Sequence, residues 1–204
     1  MKLYQSVGPN PRVATMFIAE KGLTIERELV DIMAGENRKP DFLARNPAGH
    51  TPLLALDDGG YVSESVAICE YLEERHPTPP LIGATAEERA ATRARMRQID
   101  QGIVVPMTNA FRSAEGLPMF KDRLLCLPEG ADANKAYARD GFAQIERLLD
   151  GEWVCGSRFT LADILLFCFA EFGAQVGQPI PDGLTRLKAW HARAALSANP
   201  KNGL

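Results

Sequence analysis

The sequence is poor in the residues that cross-link small secreted domains or hold metal ions. Of its 204 residues only 4 are cysteine and 3 are histidine. The cysteines stand at positions 69, 126, 155 and 168, so no two form a CxxC pair and none has a histidine at metal-ligand spacing. These absences exclude a disulfide scaffold and a zinc site. They also predict a reducing compartment.

The chain also lacks an excess of basic charge and any long apolar run. Its 23 lysine and arginine residues are balanced by 26 acidic ones, a formal net charge of -3 that argues against a nucleic-acid partner. The first ten residues are too polar for a signal peptide. The longest apolar run, Ile164 to Ala170, is far shorter than the roughly 20 residues that cross a bilayer. We therefore expect a soluble, cytoplasmic protein with no membrane partner.

The first 76 residues alternate between strand and helix patterns. Gly, Pro and Asn punctuate the segments, and Asp57-Asp58-Gly59-Gly60 predicts a hairpin turn. Asn10 followed by Pro11 predicts the N-cap and first residue of a helix. The predicted order is β-α-β-α-β-β-α, with strands at 2–5, 25–32, 53–56 and from 61, and helices from 11, 40 and 65.

Beyond a proline-rich linker the sequence pattern predicts helices. Thr85 with Glu88, and Thr160 with Asp163, form capping boxes that begin two helices. The first should run to near Arg112, and further helices are predicted at 131–149 and 184–196. In the predicted helix at 131–149, Tyr137, Phe142 and Ile145 are candidate apolar positions. We predict domains at 1–76 and 85–204, joined by a linker at 77–84.

Four segments, in this order along the chain, resemble the cytosolic glutathione S-transferase family of the bacterial beta, nu and theta-like types. They are MKLY at the start, NPAGHTPL at 46–53, SESVAI at 63–68 and GSRFTLADI at 156–164. The resemblance implies an α+β fold, with an N-terminal thioredoxin-like domain followed by an all-α helical bundle. It also implies a homodimer that uses glutathione as co-substrate, without a metal, and acts on a hydrophobic electrophile in detoxification.

Pro52 is the first position that the resemblance assigns. A cis bond before Pro52 would leave the N–H and C=O of Thr51 open to pair with the cysteinyl part of glutathione. A trans proline that protects a strand edge is the alternative reading. His50 would reach the glycyl end of glutathione, or be a solvated loop histidine. Lys39 is a weaker candidate for the same end.

Glu64 and Ser65 open the predicted third helix, where free N–H groups and the helix dipole favour an anion. The resemblance implies that Ser65 binds the γ-glutamyl carboxylate of glutathione and that Glu64 pairs with its ammonium. Ordinary helix capping by the same residues is compatible with this role.

The loop at residues 6–11 should face the sulfur of glutathione. Asn10 falls where the beta class has its cysteine, and an asparagine amide donates to a thiolate without being a useful base. We expect Asn10 to stabilise the thiolate or to be only an N-cap, and Ser6 is the second candidate. The function expected is conjugation of glutathione to an electrophile. A glutathione-dependent disulfide reductase or peroxidase, or a non-catalytic glutathione-binding scaffold, is the alternative.

Overall fold

The structure is a computed structural model that describes residues 1–197; the last seven residues of the predicted helical domain, 198–204, lie outside the described part. The described chain divides into two units, Met1–Leu81 and Ile82–Ser197. The first contains a sheet and the second is built of helices. The α+β fold class expected from the sequence is confirmed.

The first unit is a four-stranded mixed sheet with helices. Strand β1 pairs in parallel with β2 and antiparallel with β3, and β4 returns beside β3, giving the order β2-β1-β3-β4. Leu3 of β1 faces Leu54 of β3, and both are fully buried. The elements are β1 (Lys2–Gln5), α1 (Pro9–Glu20), β2 (Glu26–Leu29), a 3₁₀ turn (Glu36–Arg38), α2 (Pro40–Leu43), β3 (Leu53–Ala55), β4 (Tyr61–Ser63) and α3 (Ser65–Arg75).

Two of these boundaries correct the sequence prediction. Helix α1 is capped by Gly8, at a φ of 123°, and begins at Pro9, so Asn10 lies within the first turn rather than at the N-cap. Glycine adopts such a positive φ without a steric penalty. The chain can therefore turn at Gly8, and the helix begins two residues earlier than predicted. Strand β2 ends at Leu29 because the carboxylate of Asp31 accepts the N–H groups of Met33 and Ala34, both at 2.9 Å, and starts a turn.

A buried ion pair connects α1 to α3. The side chains of Lys21 and Glu73 are both shielded from solvent and form a salt bridge. Lys21 also donates to the carbonyls of His76 and Pro79, and the Leu81 N–H donates to Glu73 at 3.3 Å. The Thr78–Pro79 bond in this segment is cis, which the sequence analysis did not predict. The proline-rich segment is therefore tied to the sheet-containing unit.

The second unit begins with a long, nearly continuous helical segment. Its elements are α4 (Ala86–Ile99), a π-helical turn (Asp100–Val104), α5 (Val105–Ser113), α6 (Leu117–Phe120), a 3₁₀ turn (Pro128–Gly130), α7 (Ala131–Leu148), α8 (Leu161–Gln175) and α9 (Thr185–Ser197). The predicted helix to near Arg112 is confirmed in extent, although it contains the π-helical turn. Pro106 lacks an N–H and would clash with the carbonyl four residues back in a regular α-helix, which explains the widened turn.

Glycines allow the π-helical turn and α7 to cross at close range. A Cβ on Gly141 would lie 2.9 Å from Cγ1 of Ile103 and closer still to the carbonyl of Gly102. Phe142 and Ile145 of α7 are buried, as predicted. Tyr137 is 70% exposed, so its predicted apolar role in the core is wrong. Gly141 lies at one margin of the buried face that Ala138, Phe142 and Ile145 form, and Tyr137, about 40° beyond Gly141 around the helix, falls outside that face.

Helix α8 is central to this unit, and Asp163 caps it. Asp163 accepts the N–H groups of Val154 and Thr160, each at 2.8 Å, and the indole N–H of Trp190 at 2.9 Å. Burial raises the pKa of Asp163, and these hydrogen bonds oppose that rise. Both capping boxes predicted from the sequence are confirmed. The role of Asp163 is structural.

Candidate functional site

The Thr51–Pro52 peptide bond is cis, as the sequence motif predicts. Pro52 is buried and Thr51 is half-buried. Strand β3 begins only at Leu53, and within residues 1–197 neither the N–H nor the C=O of Thr51 enters a backbone hydrogen bond. An open main-chain donor and acceptor on one residue is the arrangement that pairs with an extended peptide.

Ser6 lies against Thr51. The two hydroxyl oxygens are 2.5 Å apart, and Ser6 Oγ also lies 3.1 Å from the carbonyl oxygen of Val7. Ser6 directly follows β1, which pairs with β3 in the sheet. The antiparallel register therefore brings the loop after β1 and the residue before Pro52 to the same end of these two central strands. A hydroxyl at this place is within reach of any ligand that pairs with Thr51.

The N-terminus of α3 provides a site for an anion. Ser65, the first residue of the helix, is buried, and no side chain among the described residues caps the first turn. The N–H groups of Val66 and Ala67 have no backbone partner within residues 1–197. Glu64 precedes the helix with a φ of 72°, and its side chain is exposed. Unpaired N–H groups and the helix dipole favour a carboxylate here.

Asn10 lies beside Ser65 rather than beside Thr51. Its Oδ1 is 3.4 Å from the hydroxyl of Ser65, which donates to it. The structure thus brings the predicted residues together in two pairs, Ser6 with Thr51 and Asn10 with Ser65. His50 is exposed, and Lys39 forms a 3.7 Å ion pair with Glu36.

Two residues of this region were missed by the sequence analysis. Asn37 and Asn46 are buried, and their side-chain amides donate to the carbonyls of Gly49 and His50. Asn46 is the first residue of the NPAGHTPL segment, which carried the family resemblance, but the sequence analysis gave Asn46 itself no role. Asn37 carries no sequence signal, because an asparagine between charged residues resembles ordinary surface.

No cysteine lies in these loops. Cys69 and Cys168 are buried, Cys126 and Cys155 are partly so, and none of the four forms a disulfide. Among the described residues no group of histidine, cysteine, aspartate and glutamate side chains could hold a metal ion. No helix among residues 1–197 is long and apolar enough to cross a membrane. The chemical groups that the first unit offers are therefore hydroxyls, amides, a carboxylate and open main-chain positions.

The helical unit has a cavity of about 500 Å³ between α8, α9 and the loop that joins them. His191 at its edge lies 2.7 Å from Glu171, and Lys188 forms an ion pair with Asp182. These charges are already paired, so they do not select a ligand of one sign. Away from this cavity, Met107 is fully buried, and the half-buried Phe111 meets Phe172 edge-on at 5.1 Å.

Comparisons with known proteins agree with this geometry. Residues 7–75 match the family described as Glutathione S-transferase, N-terminal domain, and residues 128–193 match Glutathione S-transferase, C-terminal domain. A glutathione S-transferase domain-containing protein of Marinobacter aquaeolei has a similar structure, with 34% identity, a TM-score of 0.90 and coverage of 98% of each chain.

Two further relatives cover much of the chain. The structure of Gtt2 from Saccharomyces cerevisiae is 29% identical, with a TM-score of 0.89, over 98% of this chain and 97% of its own. Maleylacetoacetate isomerase of Pseudomonas aeruginosa is 32% identical over 73% of this chain and 69% of its own length.

Proposed function

Because the chain belongs to the glutathione S-transferase family, we propose that it binds glutathione and joins the glutathione thiolate to a hydrophobic electrophile. The observation that carries the proposal is the open main chain of Thr51 before a cis proline, at the same end of the central strands β1 and β3 as Ser6. A tripeptide with a reactive thiol at its centre suits this open main chain, since pairing with Thr51 fixes the residue that bears the sulfur.

The ends of the tripeptide have matching groups. The γ-glutamyl carboxylate binds the Ser65 hydroxyl and the open N–H groups of the first turn of α3. The carboxylate of Glu64, which is exposed to solvent, pairs with the γ-glutamyl ammonium. The exposed His50 contacts the glycyl end. In this proposal Thr51 and Pro52 hold the cysteinyl residue between these two ends.

The reaction requires glutathione as thiolate. A free thiol of this kind has a pKa of about 8.5, so hydrogen-bond donors that favour the charged form increase the reactive fraction near neutral pH. We assign this role to Asn10 and Ser6. The thiol proton leaves to solvent, the sulfur forms a bond to the electrophilic carbon, and the leaving group departs with the bonding electrons. Orientation and thiolate stabilisation supply the acceleration.

The positions of the two candidate residues suggest different contributions. Ser6, next to Thr51, is close to the predicted cysteinyl position, whereas Asn10 shares a hydrogen bond with Ser65. In the structure Asn10 Oδ1 accepts from Ser65. When the Ser65 hydroxyl turns to donate to the γ-glutamyl carboxylate, Asn10 still has its amide N–H groups to donate to the ligand. The proposal also includes a cytoplasmic homodimer that takes part in detoxification. The exposed arginines of α4 suit a solvated or subunit-facing surface.

A second candidate is supported by a relative. The similarity to an isomerase suggests a glutathione-dependent isomerisation as an alternative use of the same thiolate. Reduction of disulfides or peroxides by two glutathione molecules, without a protein cysteine, and a non-catalytic scaffold that only binds glutathione remain alternatives from the sequence. The assays below separate these four.

The first test is titration calorimetry with glutathione, using Ser65→Ala and, as the matched control, Ser63→Ala. Ser65→Ala should weaken binding about tenfold, since a hydrogen bond to a charged group contributes roughly 1.5 kcal/mol. Ser63, in β4, should have no such effect. Absence of binding to the unmodified protein up to millimolar glutathione would contradict the proposal.

The second test compares substrates and the two candidate residues. Turnover of an aryl halide indicates conjugation, and isomerisation of maleylacetoacetate indicates an isomerase. Turnover of a glutathione mixed disulfide or a peroxide indicates reduction, and inactivity in all these assays with retained binding indicates a scaffold. In Asn10→Ala and Ser6→Ala the pKa of bound glutathione, followed by thiolate absorbance, should rise. An unchanged pKa in both variants would exclude their role in thiolate stabilisation.

A further inference from the structure

Two buried side-chain amides hold the peptides that immediately precede Thr51. Asn37, 8% exposed, donates through Nδ2 to the carbonyl of Gly49 at 2.7 Å. Asn46, 5% exposed, donates to the carbonyl of His50 at 2.9 Å. They come from the 3₁₀ turn before α2 and from the segment after it, so the two bonds reach the loop from different elements.

The bond from Asn46 acts directly on Thr51. The C=O of His50 and the N–H of Thr51 belong to one planar peptide unit. A donor that fixes the direction of the His50 carbonyl therefore fixes the direction of the Thr51 N–H. Asn37 acts one peptide earlier, on the plane that contains the Gly49 carbonyl and the His50 N–H.

The loop has little freedom to adjust if these bonds are lost. Gly49 has a φ of 63°, and a Cβ there would lie 2.9 Å from the Asn37 carbonyl oxygen. Arg38 also donates to the Ala48 carbonyl at 3.3 Å. On the other side, the Ser6 hydroxyl meets the Thr51 hydroxyl at 2.5 Å. Thr51 is thus held from three separate segments.

The choice of asparagine at position 37 is explained by its donor. Its Oδ1 is buried without a partner among the described residues, which is unfavourable. Packing alone would favour an apolar side chain at such a position. The hydrogen bond from Asn37 Nδ2 to the Gly49 carbonyl therefore explains why an amide stands here although its oxygen has no partner among the described residues.

We propose that Asn37 and Asn46 are positioning residues for glutathione, which fix the peptide planes before Thr51 so that its main chain is aligned with the cysteinyl backbone. The inference rests on the proposed function. Hydrogen bonds weaken steeply when misaligned, and a loop already held in its binding conformation loses less entropy when the ligand arrives. Removing either amide should therefore weaken glutathione binding without changing the rate of the chemical step.

The test uses the full chain with Asn46→Ala and Asn37→Ala. The glutathione Kd should rise about tenfold in Asn46→Ala, equivalent to roughly 1.4 kcal/mol, and by less in Asn37→Ala. The kcat at saturating glutathione should stay within about twofold of the unmodified protein. Asn46→Asp keeps the size and removes the donor, which provides a second variant if Asn46→Ala folds poorly.

Asn134→Ala is the matched control. Its amide donates to the Gly130 carbonyl at 2.9 Å in the helical unit, a bond of the same kind outside the predicted site. This variant should lose a little thermal stability and keep its glutathione affinity. A general structural role for Asn46 would change stability without changing the affinity of the folded protein.

A modified ligand separates alignment from other effects. Glutathione whose cysteinyl carbonyl oxygen is replaced by sulfur is a weaker acceptor for the Thr51 N–H, so it should bind the unmodified protein more weakly and lose less when Asn46→Ala is introduced. Strictly additive losses, or an unchanged Kd in both asparagine variants, would overturn the positioning role alone. If the unmodified protein does not bind glutathione, the proposed function fails and this inference with it.

Discussion

Glu64 has a backbone conformation that residues other than glycine rarely adopt, with φ 72° and ψ 126°. Such conformations cost on the order of 1–3 kcal/mol and persist only where the surrounding structure imposes them. Glu64 is the sole non-glycine residue with positive φ in the part of the chain described, and it immediately precedes the predicted carboxylate site. Strain and predicted function therefore coincide at one residue.

We predict that Glu64→Gly separates stability from binding. Glycine adopts this φ without strain, so the free energy of unfolding should rise by about 1 kcal/mol after allowing for the greater entropy of an unfolded glycine. Glutathione should bind more weakly, because the partner of its ammonium is lost. Denaturant unfolding and calorimetry measure the two effects.

Glu64→Ala is the matched control, since it removes the same carboxylate but keeps a Cβ. It should lose the same affinity and gain no stability. If the glycine variant were no more stable than the alanine variant, the conformation of residue 64 would not be strained.

At the residue scale the sequence predicted which residues lie in the candidate site but not which of them contact one another. The cis bond before Pro52 was predicted from the family resemblance of the segments on either side of it, whereas Pro52 alone is equally typical of a trans proline at a strand edge. The N-cap was predicted at Asn10 instead of Gly8, since asparagine before proline is the commoner cap and a φ of 123° leaves no mark in the sequence. The hydrogen bond from Ser65 to Asn10 spans 55 positions, which local patterns cannot reveal.

At the scale of elements, the crossing of α7 over the π-helical turn depends on a single missing side chain. Replacing an internal helical glycine by alanine ordinarily stabilises a helix by roughly 1 kcal/mol. At Gly141 the added Cβ would meet the backbone of Gly102 and the side chain of Ile103. A Cβ on Gly102 would instead lie 3.5 Å from Gly141 Cα, an ordinary contact distance.

We predict opposite outcomes for the two glycines of this crossing. Gly141→Ala should reduce the free energy of unfolding by roughly 2–3 kcal/mol, because the two backbones must separate. Gly102→Ala should have little effect or stabilise slightly. Chemical denaturation of both variants checks this asymmetry, and equal losses would contradict the close approach.

Capping residues predicted the helix starts more reliably than periodicity predicted the helix interiors. Thr85 and Thr160 begin α4 and α8 through local hydrogen bonds that the sequence contains entirely. The π-helical turn was missed because an apolar pattern does not distinguish two hydrogen-bond registers, although Pro106 was a signal for it. Tyr137 was misplaced because an aromatic at a plausible spacing is equally suited to an open helix face.

At the scale of the whole molecule, the change from mixed to helical sequence near the prolines predicted two units of different class. The structure divides after Leu81, and the prolines before that point belong to the sheet-containing unit through Lys21 and Glu73. No sequence pattern pairs a lysine that ends one helix with a glutamate 52 positions later. The sequence also does not identify the electrophile, because apolar residues of a helical unit form the same pattern whether they pack in the core or line a substrate pocket.

Because Lys21 is enclosed, the chemical reactivity of its amine reports whether the sheet-containing unit has opened. A primary amine normally reacts readily with acylating reagents, but the side chain of Lys21 is 0% exposed. In the native protein an amine-reactive label should therefore modify surface lysines such as Lys39 and spare Lys21, as read by peptide mass spectrometry. Labelling of Lys21 should appear only as denaturant opens the sheet-containing unit. The extent of Lys21 labelling therefore measures the unfolding of that unit.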